Sequence, residues 1–198
     1  KDHIAAAGAV DLAKAFEYVD YEVAWAVAKR TGFPLRLMAW IISLYTGPRL
    51  PTYQGACLQR TCWSRRGAAA GSRFADMMLR MVLIDGLDEF TKDYPSIQLT
   101  VYIDDITLLA FGRIQYTAHL FAMALQALIT MLQSKKGTNP AMLVNTKKTQ
   151  VVASSADGRK IIAAKLRRFN IAAQITPAMR LLGADFSAGG TRRTACLQ

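Results

Sequence analysis

The sequence predicts an α+β fold, on three observations. Residues 99–111 hold two short runs of β-branched, aliphatic and aromatic residues on either side of Asp104-Asp105, the pattern of a β-hairpin with its turn at the acids. Residues 4–12 form a small, apolar run ending at Asp11 and Leu12, short enough for a buried strand. Helical periodicity marks 21–30, 34–45, 74–89 and 115–134.

In order along the chain, Asp20 is placed to cap the first helix, Lys29 and Arg30 stand at its favourable C-terminal end, and Gly32 stops it. Pro34 opens the second helix and Gly47-Pro48 closes it, with Trp25 and Trp40 expected as core anchors. Residues 50–63 alternate loosely around Gly55, predicting a second hairpin, and Arg60, Arg65 and Arg66 cluster after it. Residues 67–72 read as a flexible loop feeding a helix with Met77, Met78, Met81, Val82 and Ile84 expected on or near its buried face. The run 115–134 lacks Lys, Arg, Asp and Glu, but Gln115, His119, Gln126 and Gln133 interrupt it, so it reads as a buried helix and not a membrane span. Residues 143–152 predict a turn, a basic loop and a strand. Asp157 is expected to cap a basic helix through about Phe169, whose cations face either solvent or phosphate. A strand is expected around Leu182-Gly183, ahead of a frayed tail.

Composition narrows the partners. The 198 residues suit one main domain, residues 1–198, with 52% hydrophobic and 20% charged residues, a globular balance. Lys and Arg number 25 against 14 Asp and Glu, a formal charge of +11, which points to a polyanion such as a phosphate backbone. Three cysteines with no CxxC give neither a disulfide framework nor a zinc site, so a reduced, intracellular setting and no disulfide-linked partner are expected. There is no signal peptide, and a chain opening at Lys1 without Met reads as a piece of something longer.

The chemistry concentrates in three acids. Two adjacent carboxylates between buried strands repel more strongly as water is removed, so Asp104-Asp105 calls for a cation unless the turn is simply solvated. Asp11 leaving a second strand supplies a third carboxylate. Three such groups meeting on one sheet would make a site for two Mg²⁺ ions about 3.5–4 Å apart, clamping an in-line phosphoryl displacement. Hard oxygen ligands suffice for that chemistry, and the chain has just two histidines to offer otherwise.

The order of motifs resembles the palm of reverse transcriptases, most nearly those of non-LTR retrotransposons and group II introns, over nearly the whole chain. Residues 11–19, Asp-Leu-Ala-Lys-Ala-Phe-Glu-Tyr-Val, are similar to the first palm motif, and Tyr102-Ile103-Asp104-Asp105 to the aromatic-x-Asp-Asp box. Asn145 with Lys148-Thr149 resembles the downstream Asn-x-x-Lys-Thr segment, and Leu182-Gly183 the hydrophobic Leu-Gly of the primer grip. The resemblance implies an α+β polymerase palm, an antiparallel sheet with helices packed on one face, plus part of the fingers, with the N-terminal fingers and the thumb missing. It implies an RNA-directed DNA polymerase domain of a retroelement, acting in the nucleus or cytoplasm on an RNA template, a DNA primer and dNTPs. Asp11, Asp104 and Asp105 would be catalytic and, with the Leu12 carbonyl, would hold two Mg²⁺, or Mn²⁺ in their place. Phe16 would gate the sugar, Gly71, Ser72 and Lys148 would meet the nucleotide, and Leu182 and Gly183 would form the primer grip.

One motif departs from the family. Pro-Gln-Gly usually precedes the Ser, whereas this chain has Ala69-Ala70-Gly71-Ser72. Two alternatives stand beside an active enzyme. One is a degenerate retroelement copy serving as a basic nucleic-acid-binding module. Another is an RNA-directed RNA polymerase palm, which usually carries Gly where Ile103 stands. With the N-terminal fingers and thumb missing, the 198-residue chain alone is expected to bind nucleic acid without extending a primer.

Overall fold

The structure, a computed structural model, describes residues 2–50, 52–54, 56–57, 61–134, 141–181 and 184–187. In chain order the elements are β1 (His3–Ala13), a 3-10 turn (Ala15–Tyr18), α1 (Tyr21–Thr31), α2 (Leu35–Thr46), β2 (Thr52–Tyr53), β3 (Ala56–Cys57), α3 (Ala75–Asp93) and β4 (Gln98–Tyr102). There follow β5 (Asp105–Arg113), α4 (Ile114–Gln133), β6 (Leu143–Val144), β7 (Gln150–Ala153), α5 (Ala156–Arg168), β8 (Gln174–Thr176), β9 (Ala178–Leu181) and β10 (Ala184–Ser187). The chain is α+β. It divides into two compact units, one of residues 1–13, 87–133 and 143–198, the other of 14–86 and 134–142.

The first unit is built on a sheet in the order β4-β5-β1-β7-β8, with β6 also paired to β1. Alternation along β1 decides which face is inside: Ile4, Ala6, Val10 and Leu12 are buried, while Ala5, Ala7, Ala9 and Asp11 are half-exposed. β5 repeats the pattern, with Ile106, Leu108 and Ala110 buried. Both helices of this unit cover that one face. A Cβ on Gly8 would lie 2.8 Å from Phe121 of α4, and one on Gly158 of α5 would lie 3.2 Å from Ile4. The sheet is not wholly antiparallel: β7 and β8 run parallel, because α5 carries the chain back between them. Ser155, and not Asp157, caps α5, its Oγ accepting from the Gly158 N–H at 3.0 Å. Asp157 sits in the first turn, where its charge still favours the helix. β9 and β10 pair on either side of positions 182–183, and Leu182 and Gly183 themselves lie outside the described residues.

In the second unit Asp20 caps α1, its Oδ1 accepting from the Glu22 and Val23 N–H groups, and Gly32 ends the helix at φ +73°. Thr52 and Tyr53 pair with Cys57 and Ala56 as the expected small hairpin. Two expectations need correction. Trp25 is 38% and Trp40 51% exposed, because α1 turns Tyr21, Val23, Ala24, Val27 and Ala28 inward and α2 turns Met38, Ile41 and Tyr45 inward; Trp40 instead meets Phe74 edge-on at 5.7 Å between centroids. On α3 the buried stripe begins Ala75-Met78-Leu79-Val82-Leu83, with Met77 and Met81 half-buried beside it as expected, and only Ile84 is turned outward. Among the described residues no helix is long and apolar enough to cross a membrane, and no disulfide joins Cys57 and Cys62, both exposed.

Gly8 decides how closely α4 approaches β1. In a strand, alanine would ordinarily gain about 0.5–1 kcal/mol over glycine. Here the added methyl would stand 2.8 Å from Cζ of a fully buried Phe121, so the ring must shift within the core. We expect Gly8→Ala to destabilise the protein by about 1–3 kcal/mol in urea unfolding, and Phe121→Leu in the same chain to restore part of the loss. An unchanged or raised midpoint for Gly8→Ala would contradict this packing.

Candidate functional site

The carboxylates are placed by strand register. The last pair of the β4–β5 hairpin is Tyr102 with Asp105, leaving Ile103-Asp104 as a two-residue turn. The sequence suggests Asp104-Asp105 as the turn; the register shifts it back by one residue. Ile106, Leu108 and Ala110 must face α4, and since a one-residue slip would turn them outward, Asp105 becomes the first residue of β5. Ile103 consequently adopts φ +58°, at the first loop position where a type II′ turn favours glycine. A β-branched residue there costs on the order of 1–3 kcal/mol, which the flanking ladders must offset.

Asp11 and Asp105 are register partners across β1–β5. Side chains directly opposite on neighbouring strands have Cβ atoms about 4.5–5.5 Å apart, and like charges so placed are destabilising. The carboxyl of Asp105 is accordingly held above its ordinary value, first by burial and then by the negative charges of Asp104 and Asp11. The backbone of Asp11 is fixed from its other side, where the Asn145 N–H donates to the Asp11 carbonyl at 2.9 Å. Asn145 then organises its own turn: its carbonyl accepts from the N–H groups of Lys148 at 3.0 Å and Thr149 at 3.1 Å, and its side-chain oxygen from Lys148 N–H at 3.3 Å. Lys148 is exposed, and Leu12, paired with Val144, is buried.

Among the described residues, no three His, Cys, Asp or Glu side chains form a ready-made metal-holding group. The donor chemistry nonetheless suits a hard divalent cation: Asp11, Asp104 and Asp105 supply carboxylate oxygens close together on the strands and turn, and none of them has a basic partner in a described salt bridge.

Phe16, Gly71 and Ser72 belong to the second unit, where one network gathers them. Phe16 lies half-buried on the 3-10 turn, and its carbonyl accepts from the Ala68 N–H at 2.8 Å. The Gly67 N–H donates to Val19 at 2.8 Å. Gly67 has φ +95°, and a Cβ there would stand 3.1 Å from the Glu17 carbonyl oxygen, so the approach requires glycine. Tyr21 donates its hydroxyl to the Gly67 carbonyl at 2.7 Å, and Tyr45 shares a 2.7 Å hydrogen bond with the Ser72 hydroxyl. These two tyrosines pin the loop at both ends, a role the sequence did not suggest because both sit at helical positions. Arg66 stacks its guanidinium over Tyr18, 4.6 Å from the ring centroid.

The first unit is thus an α+β layer with acids at one end of its open face, and the second a helical unit that presents a pinned glycine loop. In comparison with known proteins, the chain matches no protein-family model and no curated sequence.

The raised value at Asp105 fixes a sign. The folded protein holds a proton there that the unfolded chain releases near 3.8, so stability falls as pH rises from about that value through the folded-state value. We expect Asp105→Asn, in metal-free buffer, to gain stability over the wild type as pH climbs through this window and to keep the gain at neutral pH. Urea titrations across pH check it, and a variant less stable at pH 7 would refute the repulsion.

Proposed function

We propose that the chain is a reverse transcriptase domain of a retroelement, an RNA-directed DNA polymerase with a palm fold. The observation that carries this reading is the pairing of Asp11 with Asp105 across β1–β5, with Asp104 in the adjoining turn. Residues far apart in sequence, each within a segment resembling a polymerase motif, are neighbours on one sheet, and no feature of their local sequences requires that.

In this reading Asp11, Asp104 and Asp105, with the Leu12 carbonyl, would hold two Mg²⁺ ions. Bound there, the ions would supply Lewis acidity toward a 3′-hydroxyl and a triphosphate. The chain's own part is positional. The β1–β5 register sets the spacing of the carboxylates, and the Asn145 contact to the Asp11 carbonyl holds the end of β1 in place. Lys148, exposed on that same turn, would meet the triphosphate of the incoming dNTP. Phe16, held through its carbonyl by Ala68, would set its ring beneath the sugar and exclude a 2′-hydroxyl. The RNA template and DNA primer would be bound chiefly through phosphates, in keeping with a charge of +11. Phosphoryl transfer depends on such positioning and charge stabilisation more than on covalent chemistry by the protein.

A second reading is favoured by Ala69 and Ala70, exposed methyl groups where the family has Pro-Gln. They offer no side-chain hydrogen bond to a base or nucleotide. A degenerate copy that binds nucleic acid without turnover follows from that loss.

The deciding experiment is extension of a DNA primer on an RNA template with dNTPs and Mg²⁺, using the longest natural chain that contains these residues. In an active protein, Asp104→Asn should lower turnover by several powers of ten with little change in nucleic-acid binding. Near-normal turnover would remove the two-metal assignment. In the same assay Phe16→Val should raise incorporation of rNTP relative to dNTP, and unchanged selectivity would reduce Phe16 to a packing residue.

A further inference from the structure

The segment 143–175 holds seven basic residues and one acid, Asp157. The structure sorts these cations by what already occupies them. Arg159 is used internally, its guanidinium donating to the Ala153 carbonyl at 2.9 Å. Lys160 is paired with Asp157 at 3.7 Å. Lys165 is half-buried. Lys147, Lys148, Arg167 and Arg168 are exposed, and none of them belongs to a described salt bridge.

Their placement follows from the chain path. β7 starts at Gln150 beside Ala9 and ends at Ala153 beside Ala6, so it runs away from the end of β1 that bears Asp11. α5 reverses direction, and β8 begins at Gln174 beside Gln150, with the Gln174 N–H on the Thr149 carbonyl at 2.8 Å. The C-terminus of α5 has therefore returned to the carboxylate end of the sheet, and Arg168 lies within about 20 Å of Gln174, the reach of the intervening chain. The turn bearing Lys147 is at that same end, fixed by the bond from Asn145 to Asp11.

Helix capping does not account for the arginines. The carbonyls of Lys165, Leu166 and Arg167 already accept from the N–H groups of Phe169, Asn170 and Ile171. Lys147 lies on no helix. Two arginines and a lysine from separate segments, exposed, in no described salt bridge and at one end of the unit, are the arrangement that a phosphate backbone complements.

We propose that Lys147, Arg167 and Arg168 form a cationic rim that grips a nucleic-acid phosphate backbone at the carboxylate end of the sheet. The proposal rests on the nucleic-acid reading above and assigns a surface to it. The rim contacts phosphates without reading bases, and so contributes affinity and salt dependence but no sequence preference.

The test measures binding of the 198-residue chain to a fluorescein-labelled RNA/DNA hybrid duplex by anisotropy over a range of salt, in EDTA. The triple variant Lys147→Gln, Arg167→Gln, Arg168→Gln should lower the slope of log K against log salt by about 2–3, since each lost phosphate contact removes about 0.7–0.9. The charge-matched control Lys29→Gln, Lys92→Gln, Lys160→Gln should leave the slope near wild type, and Arg167→Lys with Arg168→Lys should restore it. Thermal melts monitored by circular dichroism confirm that each variant is folded. Equal losses in the rim and control variants would overturn the proposal in favour of net charge alone, and no loss in the rim variant would overturn it outright. Failure of the wild type to bind at low salt would overturn the nucleic-acid reading itself, a result distinct from both.

Discussion

The antiparallel ladder of nine register pairs between β1 and β5 is the constraint on which the rest of the first unit depends. Its inward side supplies the core under α4, and its outward side ends in two carboxylates facing each other. The two are inseparable, because a strand alternates with period two: the register that buries Val10 and Ile106 is the register that opposes Asp11 and Asp105. The apolar ladder is thus able to hold a charge pair that would separate if the strands were free. Small residues on β1 contribute to this, since Ala6 and Gly8 let α4 lie close to the sheet.

Backbone strain marks the same places. The non-glycine residues with left-handed φ are Lys14, Gln54, Ile103 and Asn170 among those described. Lys14 precedes the turn carrying Phe16, Ile103 precedes Asp104, and Asn170 follows Arg168 where the chain leaves α5. Such conformations persist only where neighbouring structure over-determines them. Around Ile103 that role falls to the β4–β5 pairs, and around Lys14 to the backbone bonds that join Phe16 and Val19 to Ala68 and Gly67. The pinned glycine loop and the acid turn are two uses of one device, in which local cost is held by paired backbone on both sides.

The sequence by itself determined the elements and several of their ends. Asp20, Gly32 and Pro34 act locally, through a cap, a left-handed stop and a helix start, so α1 and α2 were legible from short stretches. The short apolar run at 4–12 and the β-favouring runs at 99–111 likewise announced β1, β4 and β5, and the acids were conspicuous because charge is costly beside buried strands. Tertiary structure alone decided the rest. Which residue of the Asp104-Asp105 pair enters β5 depends on what Ile106 packs against, and the meeting of Asp11 with Asp105 is a long-range pairing that no local pattern encodes. Trp25 and Trp40 read as core by residue type, but the inward direction of a helix is chosen by its neighbours. The hydroxyls of Tyr21 and Tyr45 found partners in a distant loop. In the basic stretch after Val144, sequence supplied the charge, while the path of α5 and the bonds already made by Arg159 and Lys160 decided which cations remain exposed at the carboxylate end. Short-range chemistry is written residue by residue, whereas register, helix rotation and the pairing of charges are settled only when the whole unit excludes water at once.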